Sequence, residues 1–131
     1  MFLMLFGLIV TGIYACLGFY KLFRKKNWTY RLLIFSGLLA SFQLLLSIIK
    51  DGILAPIPSD TLYGPITYMV SYLLLRKMYV AIYRVEPTYN RCAWYDPEDK
   101  RRQNLLDIVV HVLPFLLSIT VAVQLAILKS N

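Results

Sequence analysis

Residues 21–49 read KLFRKKNWTYRLLIFSGLLASFQLLLSII, a basic segment followed directly by a long apolar run. Five Lys and Arg residues fall within 21–31, whereas 32–49 holds three Ser, one Gln and no charge. An apolar helix of about 20 residues is long enough to cross a hydrocarbon core of about 30 Å. The stretch therefore predicts a membrane-spanning helix with a basic anchor at its N-terminal end.

The composition of the whole chain agrees with this prediction. The 131 residues are 59% hydrophobic and have a mean hydropathy of +0.61, whereas soluble domains are about 45–50% apolar. A net charge of +7 is compatible with nucleic-acid binding. However, the basic residues flank apolar runs, which is typical of proteins anchored in a lipid bilayer. We therefore predict a bilayer environment and no nucleic-acid partner.

Three further apolar runs predict a single all-α domain, residues 1–131, with four transmembrane helices. The expected helices cover about 1–22, 30–49, 58–84 and 97–128, with a cytoplasmic loop at about 85–96. The third apolar run ends at Arg76-Lys77. Its helix therefore either begins near Ile57 or continues past these two cations, which then snorkel to headgroups or line a wet interior.

The fourth helix carries its own start signal. Asp96-Pro97 places a capping Asp before a Pro at the first helical position, a common arrangement at helix N-termini. From Pro97 to Leu128 a helix would be about 48 Å long at about 1.5 Å per residue. Its charged first turns are therefore expected to extend into the cytoplasm.

The distribution of positive charge predicts the orientation. Of the fourteen Lys and Arg residues, five lie in 21–31 and seven in 76–103, and only Lys50 and Lys129 lie opposite. Cytoplasmic loops carry the excess of Lys and Arg, so both termini are expected to be extracytoplasmic. The predicted headgroup anchors are Lys25, Lys26, Arg76, Lys77, Arg101 and Arg102.

The two cysteines, Cys16 and Cys92, have neither the number nor the spacing of a disulfide framework or a zinc site. We expect free thiols. The chain opens Met1-Phe2-Leu3, without the basic segment that begins an export signal. Residues 1–22 are therefore interpreted as a retained transmembrane helix.

Asp107, His111 and Ser118 form a candidate intramembrane polar site, because their spacing places them along one stripe of the fourth helix. A histidine facing a membrane bundle is a candidate proton relay or ligand group. The favoured alternative is a local hydrogen bond between His111 and Asp107, since the other spans offer no central acidic residue or histidine.

The chain has a single histidine, so a haem bound through it would have no second histidine of this chain as its other axial ligand. No cofactor, metal site or catalytic constellation is predicted, and the protein is not expected to be an enzyme.

Four tyrosines recur on one face of the third helix: Tyr68, Tyr72, Tyr79 and Tyr83. The spacing favours a packing face on which the hydroxyls nearest the cytoplasmic end lie near headgroups, and an aromatic ligand site is the alternative.

Pairs of small residues at i and i+4 predict helix packing, within the chain or with another chain. These packing residues are Gly12, Cys16, Gly37 and Ser41.

The loop between the third and fourth helices is rich in aromatic residues. Tyr89, Trp94 and Tyr95 lie among charges of both signs. This composition is typical of a surface that docks a partner protein. The alternative is that the rings rest in the headgroup belt.

Three segments together resemble the N-terminal multi-helix membrane domain of bacterial membrane-bound AraC-type regulators. They are FRKK at 23–26 with RLL at 31–33, LYGPITY at 62–68 and HVLPFLLS at 111–118. The resemblance covers about residues 21–119 and does not include the family's DNA-binding domain. It implies a membrane module that senses or relays a signal through helix packing, alone or beside a separate effector protein.

The sequence favours a non-enzymatic multi-pass protein of a bacterial inner membrane. It is expected to act as an accessory, sensory or assembly subunit that binds another membrane protein or forms a homo-oligomer. The alternative is a subunit of an oligomeric pore, a holin-like protein or a small transporter. In that case the channel-lining side chains of several copies are expected to be Gln43, Ser47, His111, Ser118 and Gln124.

Overall fold

The described part of the protein is all-helical. A computed structural model describes residues 2–19, 23, 25–50, 60–87 and 104–130, and within these ranges it contains four α-helices and no strand. The helices are α1 (Phe2–Phe19), α2 (Lys26–Lys50), α3 (Gly64–Tyr83) and α4 (Leu105–Ser130). A short 3₁₀ turn, Asp60–Tyr63, leads directly into α3. The predicted helical fold class is therefore confirmed.

The helix ends differ from the predicted ones for identifiable reasons. At the start of α3, Pro65 occupies the first turn, where its missing N–H costs no helical hydrogen bond. The helix ends at Arg84, which adopts a left-handed conformation (φ 55°) and donates its N–H to the Val80 carbonyl over 2.8 Å. Such a left-handed residue satisfies an otherwise unpaired carbonyl of the last turn.

The helix α4 begins at Leu105, and a pair of side chains defines this start. Asn104 Oδ1 accepts a hydrogen bond from the Leu105 N–H (2.8 Å), and Asp107 Oδ2 accepts one from the Asn104 N–H (2.7 Å). These bonds satisfy amides that a helix N-terminus leaves without helical partners. The start that the sequence predicts at Pro97, and most of the loop 85–96, lie outside the described residues.

The other three helices and the 3₁₀ turn all contact α3. The helix α4 packs along α3, and α1 packs against both of them and against the 3₁₀ turn. The helix α2 lies against α3 and the 3₁₀ turn. A hydrogen bond also joins α1 to α2, because the Tyr14 hydroxyl donates to the Leu32 carbonyl over 2.8 Å. The shared core thus lies where α1, α3 and α4 meet.

In α2 the usual distribution of side chains in a soluble protein is reversed: polar side chains are buried and apolar side chains are exposed. Ser36 and Gln43 are buried, whereas Ile34, Leu38 and Ile48 are 63%, 64% and 65% exposed. Exposed apolar surface of this extent marks an interaction with lipid or protein. By length and composition, two segments of the described chain can cross a membrane, Lys26–Ile49 and Leu105–Gln124, and Leu5–Gly18 is a shorter apolar helix.

Candidate functional site: a buried aromatic and polar cluster

Five rings from four parts of the chain form one buried cluster. Phe23, between α1 and α2, is fully buried, and its ring centroid lies 5.2 Å from that of Tyr72 and 6.1 Å from that of Tyr68. Tyr14 of α1 meets the Phe23 ring edge-on at 6.3 Å, and His111 of α4 meets Tyr72 at 5.9 Å. Separations of about 4.5–7 Å are those of attractive ring pairs. The cluster therefore joins α1, α3 and α4.

The tyrosine face of α3 contributes two of these rings. Tyr68 and Tyr72 are one helical turn apart, and their rings are nearly parallel (8°) with centroids 6.1 Å apart. Tyr79 is also buried, and it stacks on the more exposed Tyr83 at 4.8 Å. The structure thus places the first three tyrosines in the core. This is the packing face that their spacing favours.

The predicted polar stripe on α4 faces the interior. Asp107, His111 and Ser118 are all buried. His111 Nδ1 lies 2.7 Å from the backbone oxygen of Asp107. A carbonyl can only accept a hydrogen bond, so Nδ1 carries the proton and donates. The hydrogen bond between His111 and Asp107 thus forms through the backbone of Asp107, whose carboxylate accepts the bond that caps the helix.

Ser118, like His111, donates a hydrogen bond to a backbone carbonyl of its own helix. Its hydroxyl donates to the Phe115 carbonyl over 2.7 Å, within the same helix. A hydrogen-bonded hydroxyl can be buried at low cost, whereas an unpaired one is costly. Each of the three side chains of the stripe thus makes at least one hydrogen bond to the backbone near it, and the stripe lies beside the aromatic cluster.

Arg76 forms a three-bond contact that we term the Arg76 clasp. Its Nε and Nη2 donate to the two carboxylate oxygens of Glu86 (2.8 and 2.6 Å), and its Nη1 donates to the Phe23 carbonyl (2.9 Å). The Arg76 side chain is only 21% exposed. A bidentate pair of this kind is stronger and more directional than a simple ion pair. The clasp ties α3 both to the segment before α2 and to the segment after α3.

The predicted headgroup anchors therefore divide into different environments. Arg76 is held inside the chain by the clasp, whereas Lys25, Lys26 and Lys77 are exposed. Arg101 and Arg102 lie outside the described residues, as do the predicted docking residues Tyr89, Trp94 and Tyr95. No sequence pattern marks Glu86 or Phe23 as a partner of Arg76.

The packing of Gly12, Cys16, Gly37 and Ser41 against a helix of this chain or of another chain stays a prediction. A Cβ atom built on Gly12 or on Gly37 would meet no neighbouring atom within 4 Å, and Cys16 and Ser41 are exposed. The face of α1 that packs closely within the described chain is formed by Gly7, Thr11 and Gly18. A Cβ on Gly18 would lie 2.5 Å from the Tyr68 hydroxyl, and one on Gly7 would lie 2.7 Å from the Thr61 backbone.

The geometry of the helix explains why two pairs of small residues lie on different faces of α1. Successive residues of an α-helix are about 100° apart around the axis, so Thr11 and Gly12 point in clearly different directions. Both Gly7-Thr11 and Gly12-Cys16 have the small-residue spacing of close helix packing. Gly12 and Cys16 therefore lie on the face of α1 next to the one that carries Gly7 and Thr11.

Metal-ligating residues are not grouped in the described ranges. Among residues 2–19, 23, 25–50, 60–87 and 104–130, no three His, Cys, Asp or Glu side chains are placed to hold a metal ion together. Tyr68 is fully buried, and its hydroxyl has no hydrogen-bond partner among the residues that the structure describes.

Comparison with known proteins assigns no family to this chain. No family, no curated protein and no solved structure matches it. The resemblance to the membrane domain of AraC-type regulators therefore stays a prediction. The described residues thus form four helices with a polar and aromatic interior and many exposed apolar side chains.

Proposed function

We propose that this chain is a multi-pass integral membrane protein and acts as a non-enzymatic accessory, sensory or assembly subunit. All four helices cross the bilayer, both termini are extracytoplasmic, and the membrane is a bacterial inner membrane. The observation that carries the proposal is the inverted distribution of side chains. Polar groups lie inside, and large apolar side chains are exposed on every helix.

The helix lengths support four crossings. The shortest helix, α1, has 18 residues, and α3 has 20, which correspond to about 27 and 30 Å at about 1.5 Å per residue. A hydrocarbon core is about 30 Å thick. The charge of Arg76 within α3 is neutralised by Glu86. Pairing of this kind lowers the cost of a cation at the edge of a bilayer.

The burial of polar side chains favours a subunit over a pore. Of the five channel-lining candidates, three are buried within a single copy of the chain: Gln43, His111 and Ser118. Ser47 is half-buried, and Gln124 is exposed. Side chains that line a channel between several copies would instead be exposed in one copy. The aromatic loop residues Tyr89, Trp94 and Tyr95 remain the proposed docking surface, and the exposed apolar helix faces provide contact area within the membrane.

Orientation is tested with the two native cysteines and a membrane-impermeant maleimide. In C16S, the remaining Cys92 should be labelled only after the cells are permeabilised, because it lies in a cytoplasmic loop. In a cysteine-free background, Asn131→Cys should be labelled in intact cells. Labelling of Cys92 in intact cells would reverse the orientation, and release of the protein by alkaline carbonate would exclude membrane insertion.

The role as a subunit is tested by measuring the mass and composition of the particle purified from the native membrane in mild detergent. A complex with a second protein is expected, and the triple change of Tyr89, Trp94 and Tyr95 to Ala should remove that protein. The matched variant H111L/S118L should retain it. A homo-oligomer that loses single-channel conductance in H111L/S118L would support the pore instead.

A further inference from the structure

The Arg76 clasp joins two connections of the chain that are far apart in sequence. Arg76 donates to both carboxylate oxygens of Glu86, which follows α3, and to the carbonyl of Phe23, which precedes α2. We infer that the clasp is a relay: when docking moves the aromatic loop and withdraws Glu86, Arg76 leaves the Phe23 carbonyl and the start of α2 loosens. The inference rests on the proposed docking role of that loop and adds the path by which docking reaches the helices.

The loop end of the relay is held against the bundle. The left-handed turn at Arg84 redirects the chain, and Glu86 then bonds to Arg76, ten residues back in sequence. Pro87 is fully buried, so the chain still lies against the helices one residue after the clasp. Tyr89, the nearest proposed docking residue, follows Glu86 by three residues, which span at most about 11 Å when extended. A partner that draws Tyr89 away therefore also draws on Glu86.

Arg76 has an alternative position when Glu86 is withdrawn. Its side chain is only 21% exposed, and a largely buried cation without its anionic partner is costly. A long cationic side chain of a membrane helix can extend to the lipid headgroups instead. In that position the guanidinium no longer donates to the Phe23 carbonyl. The presence of Glu86 thus selects between two positions of Arg76.

The Phe23 end of the relay holds the start of α2. The Phe23 carbonyl accepts bonds from Arg76 Nη1 (2.9 Å) and from Thr29 Oγ1 (2.8 Å). Thr29 lies in the first turn of α2, and its N–H is bonded to the Lys25 carbonyl over 3.0 Å. When Arg76 leaves, only Thr29 remains of these two donors. Opening of the first turn of α2 then becomes easier.

The test measures amide hydrogen exchange of the full chain in mild detergent, without any partner. The readout is the exchange of the first α2 amides with helical partners, those of Thr29, Tyr30 and Arg31. Glu86→Gln should accelerate this exchange by about tenfold, because the bond from the charged Arg76 to the Phe23 carbonyl is lost with it. The amides of 116–120 in α4 should change by less than about twofold. Equal acceleration in both segments would overturn the inference, since the clasp would then stabilise the protein as a whole.

Variants of Arg76 test whether the effect passes through its side chain. Arg76→Gln alone should accelerate the same α2 amides by about tenfold. Adding Glu86→Gln to it should accelerate them further by less than about twofold. A tenfold effect of Glu86→Gln in the absence of Arg76 would overturn the inference. Lys77→Gln removes the neighbouring exposed cation, and a tenfold acceleration in this control would overturn it as well.

Milder variants keep the test decisive if a Gln variant does not fold. Glu86→Asp retains the charge on a shorter side chain, so it should give an acceleration between those of wild type and Glu86→Gln. Arg76→Lys cannot form the bidentate pair, so it should also accelerate the α2 amides. Wild-type exchange rates in both variants would overturn the inference.

The relay and the subunit role fail separately. A particle from the native membrane that contains no second protein would refute the subunit role and leave the relay intact. Unchanged exchange of the α2 amides in Glu86→Gln would refute the relay and leave the subunit role intact.

Discussion

Gly7→Ala is expected to lower the free energy of unfolding by about 1–3 kcal/mol, the usual cost of overfilling a packed contact. A Cβ atom at Gly7 would lie 2.7 Å from both the carbonyl carbon and the carbonyl oxygen of Thr61. Because these are backbone atoms, the 3₁₀ turn before α3 would have to move. The change therefore acts on the contact between α1 and the entry to α3.

Gly12→Ala is the matched control on the same helix. A Cβ there would meet nothing within 4 Å, and Ala is favoured over Gly in a helix by about 1 kcal/mol. The control should therefore be neutral or stabilising. Unfolding of both variants is followed by circular dichroism in mixed micelles. Equal midpoints for the two variants would contradict the described packing of α1.

Replacing Arg76 by Gln is expected to destabilise the protein by about 2 kcal/mol, because hydrogen bonds to charged groups each contribute about 1.5–3 kcal/mol and part of this is lost to solvent screening. The variant loses both bonds to Glu86 and the bond to the Phe23 carbonyl. Arg76→Lys should recover only part of the stability, since Lys cannot form the bidentate pair.

Lys77→Gln serves as the control for charge, because Lys77 is the neighbouring cation and is exposed. It should shift the unfolding midpoint much less than Arg76→Gln. A double-mutant cycle with Glu86→Gln then isolates the ion pair from the bond to Phe23. A coupling energy of zero between Arg76 and Glu86 would show that their ion pair does not stabilise the folded protein.

Much of the helical fold was predictable from the sequence because long apolar runs and helical periodicity are simple patterns. The basic segment 21–31 and the apolar run after it identify α2, and the spacing of Tyr68, Tyr72 and Tyr79 identifies the buried face of α3. The start of α4 was less predictable. Asp96-Pro97 and Asn104 both resemble helix caps, and local sequence does not rank two such signals against each other.

The candidate site was predicted only in its local parts. The stripe of Asp107, His111 and Ser118 follows from helical periodicity and is buried as a unit. The Arg76 clasp does not follow from periodicity, because Glu86 lies beyond the end of α3 and Phe23 is 53 residues away in sequence. The close contacts of Gly7 and Gly18 were not predicted for a related reason. Two neighbouring faces of α1 carry the same small-residue spacing, and the contacts of Gly7 with Thr61 and of Gly18 with Tyr68 distinguish them.

The position of Phe23 also has a consequence for the order in which the protein is made. Its carbonyl accepts bonds from Thr29 Oγ1 and from Arg76 Nη1, and its ring is enclosed by Tyr14, Tyr68 and Tyr72. At about 5–20 residues per second, roughly 3–10 s separate the synthesis of Phe23 from that of Arg76. During that interval the ribosome has delivered α1 and α2 but not the helix that encloses the residue between them. The enclosure of Phe23 can therefore be completed only after α3 has been made.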